Sequence, residues 1–231
     1  MSFYSEWLTD YDSRSCNSYI IQFLKKEPQT TAALLNGSNE DLESAFSVLN
    51  RVPLKAFLDV ILTLRLDRTM KTSEVLQYSS FYDGANRIPE LLEFFPNGES
   101  FVNLGYQLVG ASNEAANRKY GENHSRLAET LNLVSISESK PRYAKNTAWG
   151  RYLVQFSFEE KQELFKRFLL REYYLQVILQ QAFQGPVSYF KTVSFLAEST
   201  ATRRRSNTHH VLNFILDGTD WERYLENIEW N

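Results

Sequence analysis

Apolar positions recur at i, i+3, i+4 and i+7 through residues 18–26 (SYIIQFLKK), 39–49 (NEDLESAFSVL) and 54–66 (LKAFLDVILTLRL), the spacing that lines one face of an α-helix. Pro53 stands where a first-turn proline is tolerated, so the N-terminal part is predicted to be helical. After the polar turn 67–71, Thr72 followed by Ser73 and Glu74 predicts an N-cap that opens a short helix over VLQYSSF. Asp83 and Gly84 then predict a break before a second helix, NRIPELLEFF. Short helix, turn and second helix make the outline of a helix-turn-helix. Pro96, Asn97 and Gly98 signal a turn, and SFVNLGYQLV reads as a strand entering a helix.

Further along, NTAWGRYLV echoes VNLGYQLV, which predicts duplicated units. Between them, ASNEAANRKYGENHSRLAETLNLV reads as helix, break at Tyr120 and Gly121, and helix, with Leu127, Leu131 and Leu133 on a buried edge. VSISESKPRYAKN alternates apolar and polar residues around a turn, the pattern of a wing-like β-hairpin. Residues 159–183 predict one long helix with an apolar stripe through Leu164, Phe168, Tyr174, Leu175, Ile178 and Leu179, ended by Gly185 and Pro186. A short helix follows within VSYFKTVSFLAE. Ser199 and Thr200 then supply an N-cap, and ATRRRSNTHHVLNFIL runs as a final helix with Val211, Leu212 and Ile215 inward. Three helices of these lengths form the core of another helix-turn-helix, and the aromatic, acidic tail WERYLENIEWN is expected to pack on the body. The predicted fold class is mainly α: tandem winged helix-turn-helix units with small β-hairpin wings behind an α-helical N-terminal part. The expected divisions are 1–52, 53–110, 111–157 and 158–231.

Composition narrows the function. Of the 231 residues 43% are hydrophobic, enough for real cores, and the formal net charge of -3 excludes a uniformly basic nucleic-acid coat protein. Residues 1–98 hold nine Lys/Arg against thirteen Asp/Glu, whereas the window 140–171 holds eight cations against three carboxylates, so an anion is expected to look there first. No run reaches the 18 or so apolar residues a spanning helix needs, and the start MSFYSEWLTDYDSRS lacks a secretory pattern; a cytoplasmic protein without membrane contact is expected. A lone Cys16 excludes an internal disulfide framework, and three histidines argue against a structural zinc site.

The sharpest chemical signal is Arg203, Arg204 and Arg205 near the start of the last helix, followed by Asn207 and Thr208. In a helix-turn-helix that part of the second helix enters the major groove, where guanidinium matches the paired acceptors of guanine and asparagine matches adenine. The competing reading is a solvated basic face with one arginine paired to an acid. Arg118, Lys119 and Arg126 form a second candidate set around Gly121; within the same run, His124 and Tyr120 read as satisfied core-edge groups and Asn123 as a helix cap. Lys140, Arg142 and Lys145 lie where a wing would follow the sugar–phosphate backbone, or equally in a solvated turn.

No catalytic, metal or cofactor motif is present. Glu138-Ser139-Lys140 and Glu159-Glu160-Lys161 have the E-x-K spacing of metal-dependent nucleases, without a preceding strand that carries an aspartate. Phosphate-loop, dinucleotide-binding, nucleophile-elbow and zincin patterns are missing. The aromatic residues fall on helical apolar stripes, where core filling explains them.

The stretch STATRRRSNTHHVLNFIL resembles the recognition-helix segment of winged-helix modules in bacterial restriction-modification and related phage-defence proteins, and KYGENHSRLAETLNLV with WGRYL looks like the preceding module of such arrays. The resemblance covers residues 70–217. It implies a non-catalytic, tandem winged-helix region that recognises double-stranded DNA as the recognition component of a restriction or defence system, alongside a nuclease or motor on another chain. Arg203, Arg204, Arg205 and Thr208 occupy the matching motif positions. Residues 217–220 (DGTD) follow the last helix where a wing hairpin would be expected. Two alternatives stay open: a winged-helix adaptor that binds a partner protein, and a transcriptional regulator.

Overall fold

The structure is a computed structural model that describes residues 13–138 and 140–231, with side chains from Asn17 onward; the stretch 1–12, the Cys16 side chain and Ser139 lie outside the described residues. The described chain is mainly helical with a small sheet. Two compact units are interleaved along the sequence. One comprises Pro28–Val48 and Tyr78–Gln162; the other comprises the described residues through Glu27, with Leu49–Gln77 and Glu163–Asn231. The expected divisions at 52, 110 and 157 therefore do not coincide with the compact units.

In the first unit, helices α1 (Ser13–Leu24) and α4 (Leu54–Thr63) have no part; α2 (Pro28–Asn36) and the start of α3 (Asn39–Arg51) belong to it. A capping box opens α3: Ser38 Oγ accepts from the Asp41 amide, and the Asp41 carboxylate accepts from the Ser38 amide at 3.1 Å. A π-helical turn, Asp83–Arg87, runs directly into α5 (Ile88–Leu92). Strand β1 (Glu99–Ser100) leads into α6 (Phe101–Val109), which Ser100 caps by accepting from the Asn103 amide at 3.2 Å. Then come α7 (Glu114–Thr130), β2 (Val134–Ile136), β3 (Tyr143–Asn146) and α8 (Ala148–Val154), capped by Thr147. The three strands form one antiparallel sheet in the order β1-β3-β2, with Glu99 opposite Ala144 and Val134 opposite Asn146. Because β1 and β3 pair, segments expected in two separate units share one sheet.

Several punctuation signals are corrected in this unit. No helix forms over Val75–Ser80: the structure has only a 3-10 turn, Thr72–Glu74, and extended chain after it. Asp83 and Gly84 do not break the chain but sit inside the π-helical turn, and α7 runs unbroken through Tyr120 and Gly121. The glycines serve contact rather than turning. A Cβ on Gly121 would lie 2.0 Å from the Phe101 carbonyl oxygen of α6, and one on Gly105 of α6 would lie 1.9 Å from the Asn117 carbonyl oxygen of α7. Two bare backbones thus face each other where α6 crosses α7. The repeated motif has the same local logic without a duplicated domain: α8 presents Gly150 to the Leu133 carbonyl, a Cβ there falling 1.9 Å from the oxygen. The expected hairpin is present.

The second unit buries Ile20 and Phe23 of α1 against Phe57 of α4, with Phe23 edge-on to Phe57 at 5.7 Å and to Phe168 at 5.2 Å. Residues 159–183 do not make one helix. Helices α9 (Phe158–Leu169) and α10 (Tyr173–Gln184) are separated at 170–172, and side chains at the break bond carbonyls there and at the end of α1. Gln176 Nε2 donates to the carbonyls of Leu24 and Leu170, and Arg171 Nε donates to the Phe23 carbonyl. An apolar stripe that passes over such a break has the same period as an unbroken one, which is why the pattern conceals it. After α10 come β4 (Val187–Ser188), the single turn α11 (Tyr189–Thr192), α12 (Glu198–Leu216), a 3-10 segment (Glu222–Asn227) and β5 (Ile228–Glu229), which pairs with β4 in parallel. Trp221 and Ile228 are buried, so the tail packs on its unit.

Candidate nucleic-acid interface

Helix α6, a four-residue connection and α7 form a helix pair whose turn is fixed by side-chain chemistry. Gly110 takes φ +60°, the left-handed conformation that ends α6, and its amide donates to the Tyr106 carbonyl at 2.8 Å. Asn117, buried at 4% exposure, grips the connection by accepting from the Ala111 amide at 3.1 Å and donating to the Ala111 carbonyl at 2.8 Å. Asn113 caps α7, accepting from the Ala115 amide at 2.8 Å. On the inner side of α7, His124 is fully buried: Nε2 accepts from the Ser80 amide at 3.1 Å, and Nδ1–H donates to the Tyr120 carbonyl at 2.8 Å. Burial holds this imidazole below its usual pKa, against the opposing pull of the Tyr120 carbonyl and the Asp83 charge. Asp83 in turn accepts from the Tyr120 hydroxyl at 2.8 Å and from Arg87 at 3.2 Å. Asn123 lies inside α7 rather than capping it.

With its inner side so anchored, α7 turns its cations outward. Arg118 and Lys119 are exposed, Arg118 pairing with Glu114 at 2.7 Å. Arg126 is half-buried and pairs with Glu129 at 3.0 Å. In the hairpin, Lys140, Arg142 and Lys145 are all exposed. Glu122 joins the two sets: its carboxylate lies 3.8 Å from Arg126 and 3.8 Å from Arg142, so the hairpin loop stands beside α7. Sequence reasoning passed over Glu122, although its position four residues before Arg126 on a helix was a readable signal. Lys145 shares the outward face of β3 with Tyr143, while Ala144 and Asn146 point inward. Asn146 Nδ2 reaches α5, donating to the Pro89 carbonyl at 2.9 Å and to Glu93 at 2.6 Å, and this ties the sheet to the helices.

The arginine triplet is arranged differently. Helix α12 begins at Glu198 with Ala197 at the N-cap, so Ser199 and Thr200 lie inside the first turn and cap nothing. The triplet consequently falls in the second turn. Arg203 is exposed and folds along its own helix, donating to the Ser199 carbonyl and to Thr200 Oγ1. Arg204 turns into its unit and donates to the carbonyls of Thr72 and, at 2.8 Å, Val75. Burial, followed by the neighbouring Arg203 charge, lowers its pKa. The Val75 carbonyl is one that a helix over 75–81 would have used; here it accepts from Arg204 instead. Arg205 donates to the Trp230 carbonyl at 3.0 Å. Asn207 is half-buried. Thr208 is fully buried and its hydroxyl donates to the Arg204 carbonyl, which corrects its expected place at a groove.

The basic window 140–171 also divides. Lys161, Arg167 and Arg171 are buried at 2%, 4% and 2% exposure, so three of its cations serve the interior. Lys161 Nζ donates to Asn86 Oδ1 at 2.5 Å, and burial lowers its pKa. That removes the lysine of the Glu159-Glu160-Lys161 triplet from any metal site. Among the described residues no group of three His, Cys, Asp or Glu side chains is placed to hold a metal ion, and no helix is long and apolar enough to cross a membrane. Compared with protein-family models, with curated proteins and with solved structures, the chain has no match.

Proposed function

We propose that residues 81–146 form a winged helix-turn-helix unit that binds double-stranded DNA, with α7 in the major groove and the 137–142 loop along the backbone. One observation carries this reading. The order helix, β1, α6, α7, β2, β3, with the sheet arranged β1-β3-β2, sets α7 beside the hairpin loop, with Glu122 of the helix 3.8 Å from Arg142 of the loop. Arg118 and Lys119 are the candidates for base edges or the phosphate rail on the helix. Lys140, Arg142 and Lys145 are the candidates for phosphate on the hairpin. Of the arginine triplet, Arg203 is the residue that stays exposed, and it belongs to the other compact unit. The setting that goes with this reading is the one the resemblance implies: a cytoplasmic recognition component of a restriction or defence system, working with a nuclease or motor on another chain.

The attraction is local. Residues 81–146 hold seven Lys/Arg against eight Asp/Glu, so neutralised phosphates near α7 and the hairpin must supply the affinity. The same balance, together with Tyr106 at 56% and Val109 at 45% exposure on α6, supports an adaptor that docks a protein on this unit as the second reading. Fluorescence anisotropy with a random-sequence duplex separates the two. For DNA binding, log affinity falls linearly with log salt, and changing Arg118 and Lys119 together to alanine flattens that slope by about 2. An unchanged slope in the double variant, or wild-type binding indifferent to salt, rules the reading out.

A further inference from the structure

The outward ridge of α7 places one carboxylate among cations where a duplex would approach. Glu122 is 41% exposed at its side chain, and its Oε1 is 3.8 Å from Arg126 Nη2 one turn on and 3.8 Å from Arg142 Nη1 across the hairpin. A phosphate backbone repels such a group, so by charge alone it opposes the function proposed above. Its position suggests a use. Arg142 is long, belongs to a loop, and has a carboxylate of the helix within reach; Arg126 is held from the other side by Glu129 at 3.0 Å.

We infer that Glu122 is a positioning residue that sets the selectivity of this surface: it draws the hairpin loop toward α7 and serves as an internal counter-ion that withholds two guanidiniums from phosphate. Exposed pairs at this distance are weak and screened by salt. A duplex that seats both α7 and the loop displaces the carboxylate, because it offers phosphate oxygens to Arg126 and Arg142 together. A duplex that engages only one element must leave the other pairing in place. The counter-ion therefore lowers sequence-independent affinity. Once displaced, the carboxylate remains on the groove side of the helix, where an amino-group donor such as that of cytosine is the base-edge partner a carboxylate accepts from.

This inference rests on the winged-helix reading, and the experiment is arranged so that the two fail separately. Binding of a random-sequence duplex is measured by anisotropy between 50 and 200 mM salt for the wild type, E122Q, E122A and E129Q. Circular dichroism confirms that each variant is folded, and E122A is the second variant should E122Q fail to fold. Both Glu122 variants are expected to bind more tightly than the wild type at low salt, with a salt slope steeper by about 0.9 for Arg142 released, and by more where phosphate also draws Arg126 from Glu129. An excess slope of about 0.9 makes their advantage shrink roughly threefold across the range. E129Q frees Arg126 from one of its two acids and leaves the hairpin pairing alone, so its slope changes by no more than half as much. A Glu122 variant that binds equally or more weakly overturns the counter-ion while leaving the DNA reading intact. Wild-type binding that ignores salt overturns both, and it is read before any variant is compared.

Discussion

Replacing Gly121 with alanine sets two effects of opposite sign against each other. In an exposed helix interior the change stabilises by up to about 1 kcal/mol, because alanine loses less backbone entropy than glycine. At position 121 the added Cβ would meet the Phe101 carbonyl oxygen at 2.0 Å and the Gly105 amide nitrogen at 2.9 Å. Real Cβ contacts with oxygen lie beyond 3 Å or so, which means that α6 and α7 must part by about 1 Å at their crossing. The neighbouring contact shares that cost, since Gly105 has only the Asn117 backbone opposite it and Asn117 holds the inter-helix connection. Overpacking of a close-packed contact costs about 1–3 kcal/mol and backbone cannot rotate away, so the upper part of that range applies. After the propensity gain, a net loss of about 2 kcal/mol is expected. Urea unfolding followed by tryptophan emission gives the readout in a protein whose Trp221 and Trp230 are replaced by phenylalanine, so that the fully buried Trp149 dominates the change. Ala116→Gly, exposed on the same helix, calibrates the propensity effect. A Gly121→Ala protein as stable as the wild type or more so would refute the account of the crossing, and with it the account of how α7 is presented.

Two further perturbations probe buried polar groups of the same unit. His124 is neutral in the fold with its pKa held down by burial, so at pH above about 6.5 neither folded nor unfolded protein carries its proton and stability is full. As the pH falls through that value the unfolded chain takes up a proton that the fold refuses, and stability drops by at most about 1.4 kcal/mol per pH unit until the folded histidine also titrates. Urea titrations between pH 5 and 8 on the wild type and His124→Gln check this, and an equally steep decline in the variant would assign the effect elsewhere. Asn86 accepts from Lys161 and also donates to the Tyr82 hydroxyl at 3.1 Å and to Glu90 at 2.7 Å. Asn86→Leu alone is expected to cost about 3 kcal/mol by taking the acceptor from a buried lysine, and adding Lys161→Met is expected to recover part of that loss but not what Tyr82 and Glu90 lose. Thermal melts of the three proteins decide it, and a double variant as unstable as the single one would assign the whole loss to Tyr82 and Glu90.

The helical character of the chain, the hairpin over 134–146 and the strand that enters α6 were legible because each depends on local periodicity and turn chemistry. The false breaks at 83–84 and 120–121 have a common cause. Glycine is ambiguous in sequence between a residue that turns the chain and one that lets two backbones touch, and only the partner helix resolves the two meanings. The reverse error occurred over 159–183, where a real break hides beneath an uninterrupted apolar stripe, and Gln176 donates to the Leu170 carbonyl that the break exposes.

Charge was harder to read than fold, for a reason that separates α7 from α12. A run of arginines gives the same sequence signal whether its guanidiniums face water or the chain's own carbonyls, and guanidinium is well suited to the second role because several donors can cap free backbone oxygens at once. The difference lies in what surrounds each set. The 3-10 turn Thr72–Glu74 and Val75 after it present backbone carbonyls outside any α-helix, and Arg204 donates to those of Thr72 and Val75. On α7 the inner side is already occupied by Asn117, His124 and Leu127, so Arg118 and Lys119 have only the outside to face. A helix whose buried side is complete without its cations leaves them on the solvent side, where their partners are exposed carboxylates that a ligand can displace, and that property, more than the density of positive charge, marks α7 as the candidate surface.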